Sequence, residues 1–527
     1  MSEGHVRDYL IVGAGPASLQ LAYCLDKAGR DYLVLEAGET PGTFFTKFPR
    51  HRTLISNNKV HTGFTDHERN LRWDWNSLLC DEPKLLLKHY TSRYFPPADV
   101  FVRYLRDFAA HYRLNIRCNA RASRIWRTAE GEFHVEESSG TVHRCRRLII
   151  AAGVTQLYIP PIPGVELAER YTEVSVDPQD FVNQRVLIIG KGNSAFETAD
   201  NLLESAAIIH LASPHSVQMA WKTHFVGHVR AVNNNTVDTY QLKSQNAILD
   251  CCIDAIAREG DRYKVSVSYQ HAHGEREELY YDRVILCTGF RFDSSLFDAS
   301  CRPELAINDR FPRQTSAWES TNVPGLYFAG TLTQQRDFKK TTSGFIHGFR
   351  YNAQALGRIL ERRYHGSEWP RRLLPRDAEA MTRALIERAN RSSALWQQFG
   401  FLADVLAIRP GDAEVRYFED VPVAYAHESD LVRDGDYYLM ILEYGDIHDL
   451  DLINPKGDYR PERHDVANAH LSPGLHPIVR HYRQGEQVSV HHVLEDLYGE
   501  WLEEVHTEPL LAYLRREENR APASGVA

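Results

Sequence analysis

Two glycine-rich turns constrain this chain more than any other feature of its sequence. The first is Gly13-Ala-Gly15 and the second is Gly190-Lys-Gly192, and each follows a short apolar run and precedes a segment with helical spacing. In such a strand–turn–helix unit the first glycine allows the tight turn. The second lets the backbone approach a pyrophosphate at the positive end of the helix dipole. Two copies predict two dinucleotide sites, an arrangement suited to hydride transfer from a nicotinamide to a flavin.

The first turn carries the features of an FAD site. The apolar residues 9–12 predict a buried parallel strand, and residues 32–35 predict a second strand that is followed by Glu36. An acidic residue at that point, about 20 residues after the turn, is placed to bind ribose hydroxyls. Ser18 replaces the third glycine of the motif and is small enough to keep the helix close to the strand.

The second turn differs where the identity of the cofactor is decided. The strand predicted at residues 208–211 is followed by Ala212-Ser213-Pro214-His215, without Asp or Glu. This absence favours NADPH over NADH, because a carboxylate would repel a 2′-phosphate. The arginine that often binds that phosphate is also missing. Ser213, His215 and Lys222 are the nearby polar residues that could replace it, although Ser213 and His215 fit solvated loop positions equally well.

The composition and net charge are typical of a large enzyme and argue against nucleic acid and a membrane as its partners. With 527 residues, of which 43% are hydrophobic, the chain is long enough for two to four domains. A net charge of −9 and a pI near 6.3 give no electrostatic footprint for nucleic acid. No apolar run approaches the roughly 18 residues of a membrane span. The first predicted strand begins so close to the N-terminus that no room is left for a signal peptide, which predicts a cytoplasmic enzyme.

Cysteine and histidine spacing predicts no metal and no dithiol site. The eight cysteines include no C-x-x-C pair, so we expect buried free thiols. The histidines lack cysteine or carboxylate partners at the spacing of a metal centre.

The predicted fold class is α/β, with two Rossmann-like dinucleotide-binding domains, the second inserted in the first, and a C-terminal mixed, partly helical domain. Residues 1–165 and 285–365 are expected to form the discontinuous FAD-binding domain, and residues 166–284 the NAD(P)H-binding domain. The chain crosses between them at the proline-rich residues 159–164. Residues 366–527 form a third domain without a recognisable ligand motif, through which the protein could form homo-oligomers.

The segment that closes the second domain resembles an element of known flavoproteins. Asp282-Arg-Val-Ile-Leu-Cys-Thr288-Gly289-Phe290 is similar to the D-x-x-x-L-A-T-G-Y element of the N-hydroxylating and flavin-containing monooxygenases, with Cys287 for Ala and Phe290 for Tyr. Together with the paired turns, it resembles the two-dinucleotide-binding flavoprotein monooxygenases.

A second and more specific resemblance covers most of residues 8–365. The stretches Asp74-Trp-Asn-Ser-Leu-Leu79, Gly192-Asn-Ser-Ala-Phe-Glu-Thr-Ala199 and Gly344-Phe-Ile-His-Gly-Phe-Arg-Tyr351 are similar to the FAD-dependent oxidoreductase domain-containing proteins. These relatives resemble the pyridine nucleotide-disulphide oxidoreductases and are known from the endoplasmic reticulum. Because this chain shows neither a signal peptide nor a retention tail, we expect a cytoplasmic relative without the reticulum role.

The monooxygenase resemblance implies a reaction and a set of residues for it. NADPH reduces FAD, O₂ adds to form a flavin C4a-hydroperoxide, and a small-molecule nucleophile, with N-hydroxylation favoured, takes one oxygen atom. Such a site must exclude water and supply hydrogen-bond donors. Ser56 falls where the flavin-containing monooxygenases carry an asparagine, Lys59 matches their lysine, and Asn57 or Asn58 is the expected amide donor. A capped loop is an equally good interpretation of this stretch.

His347 completes the predicted catalytic residues, which are Asn57, Asn58, Lys59 and His347. It is expected near the flavin, where it could move protons, although a structural histidine is the commoner role for such a residue. The residues predicted to bind the two cofactors are Gly13, Gly15, Pro16, Ser18, Glu36, Ala37, Gly153, Gly190, Gly192, Asn193, Ser194, Ala195, Ser213, His215, Lys222, Thr288, Gly289, Gly330 and Phe345.

Two other classes of function stay open at this point. One is an NAD(P)H-dependent flavoprotein reductase that passes electrons to a partner protein or a disulfide. The other is a flavin-bearing scaffold with little turnover. The absence of C-x-x-C argues against an internal dithiol relay but leaves reduction of an external acceptor open.

Overall fold

The computed structural model describes residues 5–241, 245–433, 435–445 and 460–519. Parts of the predicted third domain, at residues 446–459 and 520–527, therefore lie outside the described residues. The elements follow in chain order.

The first part of the chain, up to the first crossing, contains seven of the described strands and four of the described α-helices. They are β1 (Val6–Val12), α1 (Pro16–Lys27), β2 (Tyr32–Leu35), α2 (Phe44–Lys47), α3 (His67–Asn70), α4 (Ala98–His111), β3 (Ile116–Arg117), β4 (Ala122–Arg127), β5 (Phe133–Glu137), β6 (Val142–Ile150) and β7 (Gln156–Leu157).

The second part holds the second glycine turn. Its elements are β8 (Glu169–Arg170), β9 (Arg185–Ile189), α5 (Asn193–Leu202), β10 (Ile208–Ser213), α6 (Ala220–Thr223), α7 (Asn235–Gln241), β11 (Ala247–Asp250), β12 (Cys252–Glu259), β13 (Arg262–Tyr269), β14 (Glu275–Tyr281) and β15 (Arg283–Leu286).

The chain then returns to the first sheet and continues into the C-terminal part. The returning elements are β16 (Phe290–Arg291), β17 (Leu305–Ala306), β18 (Phe311–Pro312), β19 (Leu326–Phe328) and α8 (Ile346–His365). The C-terminal elements are β20 (Arg371–Pro375), α9 (Ala378–Arg391), α10 (Ser393–Gln397), β21 (Leu402–Ile408), β22 (Glu414–Pro422), α11 (Val423–Glu428), β23 (Asp436–Glu443), β24 (His476–Arg483), β25 (Glu486–His492) and α12 (Glu504–Glu518).

Two sheets carry the two glycine turns, and the first is mixed because β4, β5 and β6 pair in antiparallel register. The first has the order β3-β2-β1-β6-β5-β4, and β19 joins it beside the end of β6. The second has the order β11-β10-β9-β15-β8, and all its pairings are parallel. In both, the turn follows a central strand whose last four residues are buried, as expected for a strand covered on both faces. The predicted α/β class with two Rossmann-like units is confirmed.

The two crossings between these sheets run side by side. Strands β7 and β16 pair in antiparallel register, with Phe290 opposite Leu157 and Arg291 opposite Gln156. Strand β15 belongs to the second sheet, so residues 285 and 286 lie with that sheet rather than with the first, to which the predicted division assigned them. The return to the first sheet takes place at Thr288–Gly289, where glycine has a φ of +85°.

The C-terminal part contains more strand than its sequence suggested. Its six strands form an antiparallel sheet in the order β20-β22-β21-β23-β24-β25. Helix α12 packs with α9, and side chains of β21 and β22 share one continuous core with α1 and α8. The C-terminal sheet therefore packs on α8, and α8 packs in turn on α1.

Helix α8 holds the segment at residues 71–77 through one buried arginine. Arg350 is completely buried, and its guanidinium donates to the carbonyl oxygens of Asp74 at 2.9 Å, Ser77 at 2.7 Å and Leu71 at 2.9 Å. These backbone groups are otherwise costly to bury, because an unpaired carbonyl loses its hydration. This cation thereby fixes an irregular segment that has little secondary structure of its own.

Replacement of Arg350 by methionine is expected to destabilise the protein by about 3 kcal/mol, because three buried carbonyls lose charge-assisted hydrogen bonds. Urea denaturation followed by tryptophan fluorescence measures the shift in midpoint. Arg363→Met is the matched control on the same helix, because Arg363 pairs with Glu319 at a partly exposed position. Equal midpoints for the two variants would contradict the role given to Arg350.

Candidate functional site

The first glycine turn brings two stretches of backbone into contact. Gly13 has a φ of +98°, and a Cβ placed on it would lie 2.9 Å from the carbonyl oxygen of Ala151. Gly15 has ordinary extended backbone and no atom within 4 Å of such a Cβ, so the space beside it is open. Pro16 starts helix α1 directly after this opening. The turn therefore offers room for a phosphate at a helix N-terminus.

Glu36 lies at the end of β2, where the sequence predicts it. Its carboxylate accepts hydrogen bonds from the backbone N–H of Ala14 and Gly38, each at 2.8 Å. Ala37 follows it, and the Ser18 hydroxyl near the turn is buried without a hydrogen-bond partner among the described residues. The carboxylate is thereby held beside the glycine turn, a position that fits the ribose of an adenine dinucleotide.

A cavity of about 410 Å³ opens beside the first turn. Its lining consists mainly of small and aromatic residues from the two glycine turns, the helices that follow them, neighbouring loops and the returning segment. Those residues are Gly15, Pro16, Ala17, Phe44, Phe45, Phe48, Pro49, Leu54, Ile55, Ser56, Ala151, Ala152, Gly153, Val154, Tyr171, Asn193, Ser194, Glu197, Phe290, Gly330, Thr331, Gly344, Phe345, Ile346 and Phe349.

One wall of this first cavity is aromatic. The ring of Phe48 stacks on Phe44 with a centroid distance of 5.1 Å and on Tyr171 at 6.0 Å, and it meets Phe290 edge-on at 5.9 Å. Phe44 is 50% exposed and forms the outer end of this wall. The wall leaves few polar groups to hold water inside the cavity.

A buried acid, Glu197, stands among these aromatic residues. The hydroxyl of Tyr171 donates a hydrogen bond to its carboxylate, and the backbone N–H of Arg50 lies 3.5 Å from that hydroxyl. Burial raises the pKa of Glu197 to about 7, against the opposing effect of the Tyr171 hydrogen bond. This carboxyl therefore changes its charge near neutral pH, at a position that the sequence motifs did not single out.

The second glycine turn repeats the geometry of the first. Gly190 has a φ of +133°, and a Cβ on it would overlap the carbonyl oxygen of Cys287. Gly192 has extended backbone and open space in place of a Cβ. Ala195 is buried in helix α5, which starts at this turn.

A second cavity, of about 420 Å³, lies at this turn. Four of the residues predicted to bind a cofactor line it, namely Gly192, Ser213, His215 and Phe345, whereas Lys222 is exposed and does not. Its remaining lining residues come partly from the returning segment and are not among the residues predicted to bind the cofactors. They are Val154, Lys191, Ser216, Gln218, Phe225, Gly227, His228, Phe290, Arg310, Phe311, Gln334, Phe338 and Lys339.

The two cavities share a wall. Val154, Phe290 and Phe345 line both of them. Phe345 meets Phe225 of the second part edge-on, at a centroid distance of 5.7 Å. Two dinucleotides bound at the two turns would therefore bring their rings together at this wall, as hydride transfer requires.

The crossing residues fix this geometry. Thr288 donates a hydrogen bond to the carbonyl oxygen of Tyr158 at 2.5 Å, which joins the two crossing strands. Gly153 and Gly330 both have positive φ, and a Cβ on Gly330 would lie 3.0 Å from the Cβ of Ala17 in α1. These predicted residues shape the backbone that surrounds the cavities.

The predicted amide donors are mostly engaged elsewhere. Asn58 is buried, and its amide donates to the carbonyl oxygens of Thr91 and Arg93 at 2.9 and 3.2 Å. Asn57 accepts a hydrogen bond from Arg230 at 2.9 Å, and Lys59 is exposed. The structure places none of these three in the lining of the first cavity.

Ser56 does line the first cavity, although its neighbours do not. Its hydroxyl donates to the side-chain oxygen of Asn76. This is the position at which the resemblance implied an asparagine. Neighbouring residues of this stretch thus face different sides, because Ser56 faces the cavity and Asn57 and Asn58 do not.

His347 is buried behind the shared wall. Its ring stacks on Trp75 at 4.3 Å and lies nearly parallel to Phe345 at 5.9 Å. Neither ring nitrogen has a hydrogen-bond partner among the described residues. Burial, followed by the charges of Arg350 and Arg230, lowers the pKa of His347 well below its ordinary value, so the ring is neutral at neutral pH.

Asn193 ties the second turn to the segment beyond it. Its amide donates to the carbonyl oxygens of Gly227 and His228 at 3.1 and 2.8 Å, and its oxygen accepts from the backbone N–H of Arg230 at 3.0 Å. Asn193 and Ser194 also line the first cavity. The start of α5 therefore contributes to both cavities.

The described ranges hold neither a metal centre nor a membrane-spanning helix. There, no three His, Cys, Asp or Glu side chains are grouped so as to hold a metal ion. No helix of the described residues combines the length and the apolar character needed to cross a membrane.

Comparison with known proteins agrees with this geometry. Residues 10–330 match the family model of the pyridine nucleotide-disulphide oxidoreductases. The FAD-dependent oxidoreductase domain-containing protein 2 of Mus musculus is 37% identical over 561 residues, which cover 96% of this chain and 83% of the mouse protein. The predicted resemblance and the predicted use of FAD with a nicotinamide dinucleotide are confirmed.

Solved structures share the fold at lower identity. The bacillithiol disulfide reductase from Staphylococcus aureus aligns with a TM-score of 0.52 and 16% identity, over 68% of this chain and 99% of that one. A flavin-containing monooxygenase from Stenotrophomonas maltophilia aligns with a TM-score of 0.51 and 20% identity, over 67% and 98%. Oxygenases and reductases thus share this architecture.

Gly15 and Gly192 each have open space beside them, and replacing either by valine is expected to weaken the binding of one cofactor selectively. Gly15→Val places its side chain in the first cavity and should yield protein without flavin. Gly192→Val should keep FAD but raise the Kd for NADPH at least tenfold, because the side chain occupies the space beside α5 without backbone strain. Flavin absorbance and anaerobic NADPH titration measure the two effects. Loss of FAD from the Gly192→Val variant would contradict the assignment.

Proposed function

Since this chain belongs to the pyridine nucleotide-disulphide oxidoreductase family, as a member of the FAD-dependent oxidoreductase domain-containing proteins, we propose that it is an NADPH-dependent flavoprotein monooxygenase. Its substrate is a small, largely apolar molecule with a soft nucleophilic atom, a nitrogen in the favoured case. O₂ supplies one oxygen atom to that substrate. FAD, when bound, supplies the hydride acceptance and the oxygen activation.

The observation that carries this proposal is the lining of the first cavity. All eight cysteines lie within the described residues and are free thiols, and none of them lines either cavity. Aromatic and small apolar residues surround the place where the two cavities meet. An apolar site that excludes water and holds no thiol is suited to oxygen transfer rather than to dithiol exchange.

Residues of this chain have distinct tasks in the proposed reaction. The turns at Gly15 and Gly192 bind the two dinucleotides, and Phe345 separates the cavities at the point of hydride transfer. The aromatic wall from Phe44 to Tyr171 excludes water and contacts the apolar part of the substrate. Glu197 holds or releases a proton at its carboxyl oxygen inside this wall.

The preference for NADPH is supported by the residues at the end of β10. Ser213 and His215 line the second cavity without an adjacent acid in it. The nearby carboxylate of Asp250, from the neighbouring strand β11, is engaged by the Lys191 amine and by Ser216. An acid that is already paired does not repel a 2′-phosphate as a free one would.

A reductase is the competing function, and a test of oxygen use separates the two. The holoprotein is mixed with NADPH in air, and absorbance, oxygen uptake and peroxide are followed. A monooxygenase should reduce its flavin and then accumulate a species that absorbs between oxidised and reduced flavin, with little peroxide. Prompt reoxidation with one peroxide per NADPH would contradict the proposal.

The pH dependence of flavin reduction is expected to depend on Glu197. An ionised carboxylate stabilises the positive charge that develops on the nicotinamide as hydride leaves, so reduction should accelerate as the pH rises through about 7. In Glu197→Gln this step in the profile should disappear, with a rate several-fold below that of the wild type above pH 8. Anaerobic stopped-flow reduction measures it, and Glu204→Gln, after the end of the same helix, is the control. An unchanged profile in Glu197→Gln would refute the role.

A further inference from the structure

A strained hairpin supplies one wall of the second cavity. Between β17 and β18, three consecutive residues without glycine, Ile307, Asn308 and Asp309, have φ values of +57°, +54° and +59°. Left-handed backbone of this kind is unfavourable without glycine, because Cβ comes too close to the following carbonyl oxygen. Such strain persists where the surroundings require it, and it is concentrated at binding sites. The residue that follows this strained run is Arg310.

Arg310 reaches the junction of the two nucleotide-binding units. Its Nε donates to the carbonyl oxygen of Phe290 at 3.2 Å, and its guanidinium occupies the space beside Gly289. A Cβ on Gly289 would lie only 2.9 Å from Nη2, so glycine leaves the room that the guanidinium needs. Burial lowers the pKa of Arg310, and the positive charge of Arg291 lowers it further, because both disfavour the charged guanidinium.

No carboxylate neutralises Arg310 among the residues that the structure describes: none lies within ion-pair distance. A partly buried arginine without a carboxylate is unfavourable unless an anion completes it. Its fork of N–H donors matches a phosphate in shape and charge.

A second cation, Lys339, lines the same cavity. It lies in the loop that precedes α8 and also has left-handed backbone, with a φ of +59°. The pKa of the neighbouring His228 is lowered mainly by burial and secondly by the positive charge of Lys339. Within the described ranges Lys339 has no carboxylate partner, and its amine is exposed.

Lys191, the remaining lysine of this cavity, is already engaged. Its amine donates to the carbonyl oxygens of Ser213 and His215, each at 3.1 Å, and to the carboxylate of Asp250. Its charge is therefore satisfied by the protein itself. Arg310 and Lys339 are the cavity cations left to meet an anionic ligand.

We propose that Arg310 and Lys339 bind the pyrophosphate of the nicotinamide dinucleotide from the wall opposite the second glycine turn. The turn at Gly192 offers backbone N–H groups from one side, and the two cations close the site from the other. This inference rests on the proposed binding of the dinucleotide in the second cavity. It does not depend on the preference for NADPH or on oxygenation.

The proposed pyrophosphate site binds NADP⁺ and NAD⁺ through the same contacts. The pyrophosphate is the same in NADP⁺ and NAD⁺, whereas the 2′-phosphate is present only in NADP⁺. Because Arg310 and Lys339 come from the segment that returns to the first sheet, the bound dinucleotide is held by both nucleotide-binding units. Its nicotinamide is thereby directed toward the shared wall at Phe345.

The test titrates the FAD-loaded protein with NADP⁺ and with NAD⁺. Arg310→Ala is expected to raise both Kd values by the same factor, about 10- to 100-fold, and Lys339→Ala by about 3- to 10-fold. Both variants should also show a smaller loss of affinity with added salt. Arg313→Ala, on the same hairpin but exposed, and Lys340→Ala, next in the chain, are the matched controls and should bind as the wild type does.

Three results would overturn the inference. They are unchanged Kd values in Arg310→Ala, weakening confined to NADP⁺, which would mean 2′-phosphate recognition, and equal weakening in the controls. If Arg310→Ala loses its FAD, Arg310→Lys replaces it, because it keeps the charge and should raise both Kd values to a smaller extent. Equal affinity of the wild type for NADP⁺ and NAD⁺ would refute the proposed NADPH preference. An increase of both Kd values by the same factor in Arg310→Ala would still support the proposed pyrophosphate site.

Discussion

The pairing of the two crossing strands sets the geometry on which the rest of the structure depends. Hydride transfer needs two ring systems in contact, so two sheets that bind dinucleotides separately must present their turns to a common wall. The antiparallel pair β7–β16 fixes that relation, with Phe290 opposite Leu157. Phe290 and Val154, which lie at either end of this ribbon, line both cavities. A register shift of one residue here would turn Phe290 away from the junction.

Charge is distributed unequally on the two sides of this junction. The first cavity holds a single acid, Glu197, surrounded by aromatic rings that desolvate it. The second is lined by the cations Lys191, Arg310 and Lys339, and burial lowers the pKa of His228 beside them. The cations of the second cavity favour the binding of an anionic dinucleotide there.

Sequence reasoning succeeded where the chemistry is local. The glycine turns, strands β1, β2 and β10, and Glu36 lie within short stretches in which propensity, periodicity and spacing agree. The same reasoning did not find Arg310 or Lys339, because both reach the cavity from loops far along the chain. Ile307 also gives no sign in the sequence of the left-handed backbone that precedes Arg310.

Residues 56–59, the predicted catalytic stretch, also show where sequence reasoning fails. Asn58 and Ser56 are two residues apart, yet Asn58 faces backbone carbonyls in the loop interior and Ser56 faces the cavity. These orientations are fixed by an isolated β-bridge between Asn58 and Asp74. Arg350 of helix α8 in turn holds the segment that contains Asp74. Tertiary contacts of this kind override a local motif and leave no trace in its spacing.

The C-terminal part influences the site by holding the loop that reaches it. Gln398 donates to the Ser343 hydroxyl at 3.0 Å and to the side-chain oxygen of Asn352 at 2.6 Å, and its own oxygen accepts from Thr342 at 2.8 Å. The loop held in this way leads from Lys339 to Phe345. Because both of those residues line the second cavity, the C-terminal part helps to position one side of that cavity. A domain without a ligand motif of its own thus has a physical reason to accompany the two nucleotide-binding units.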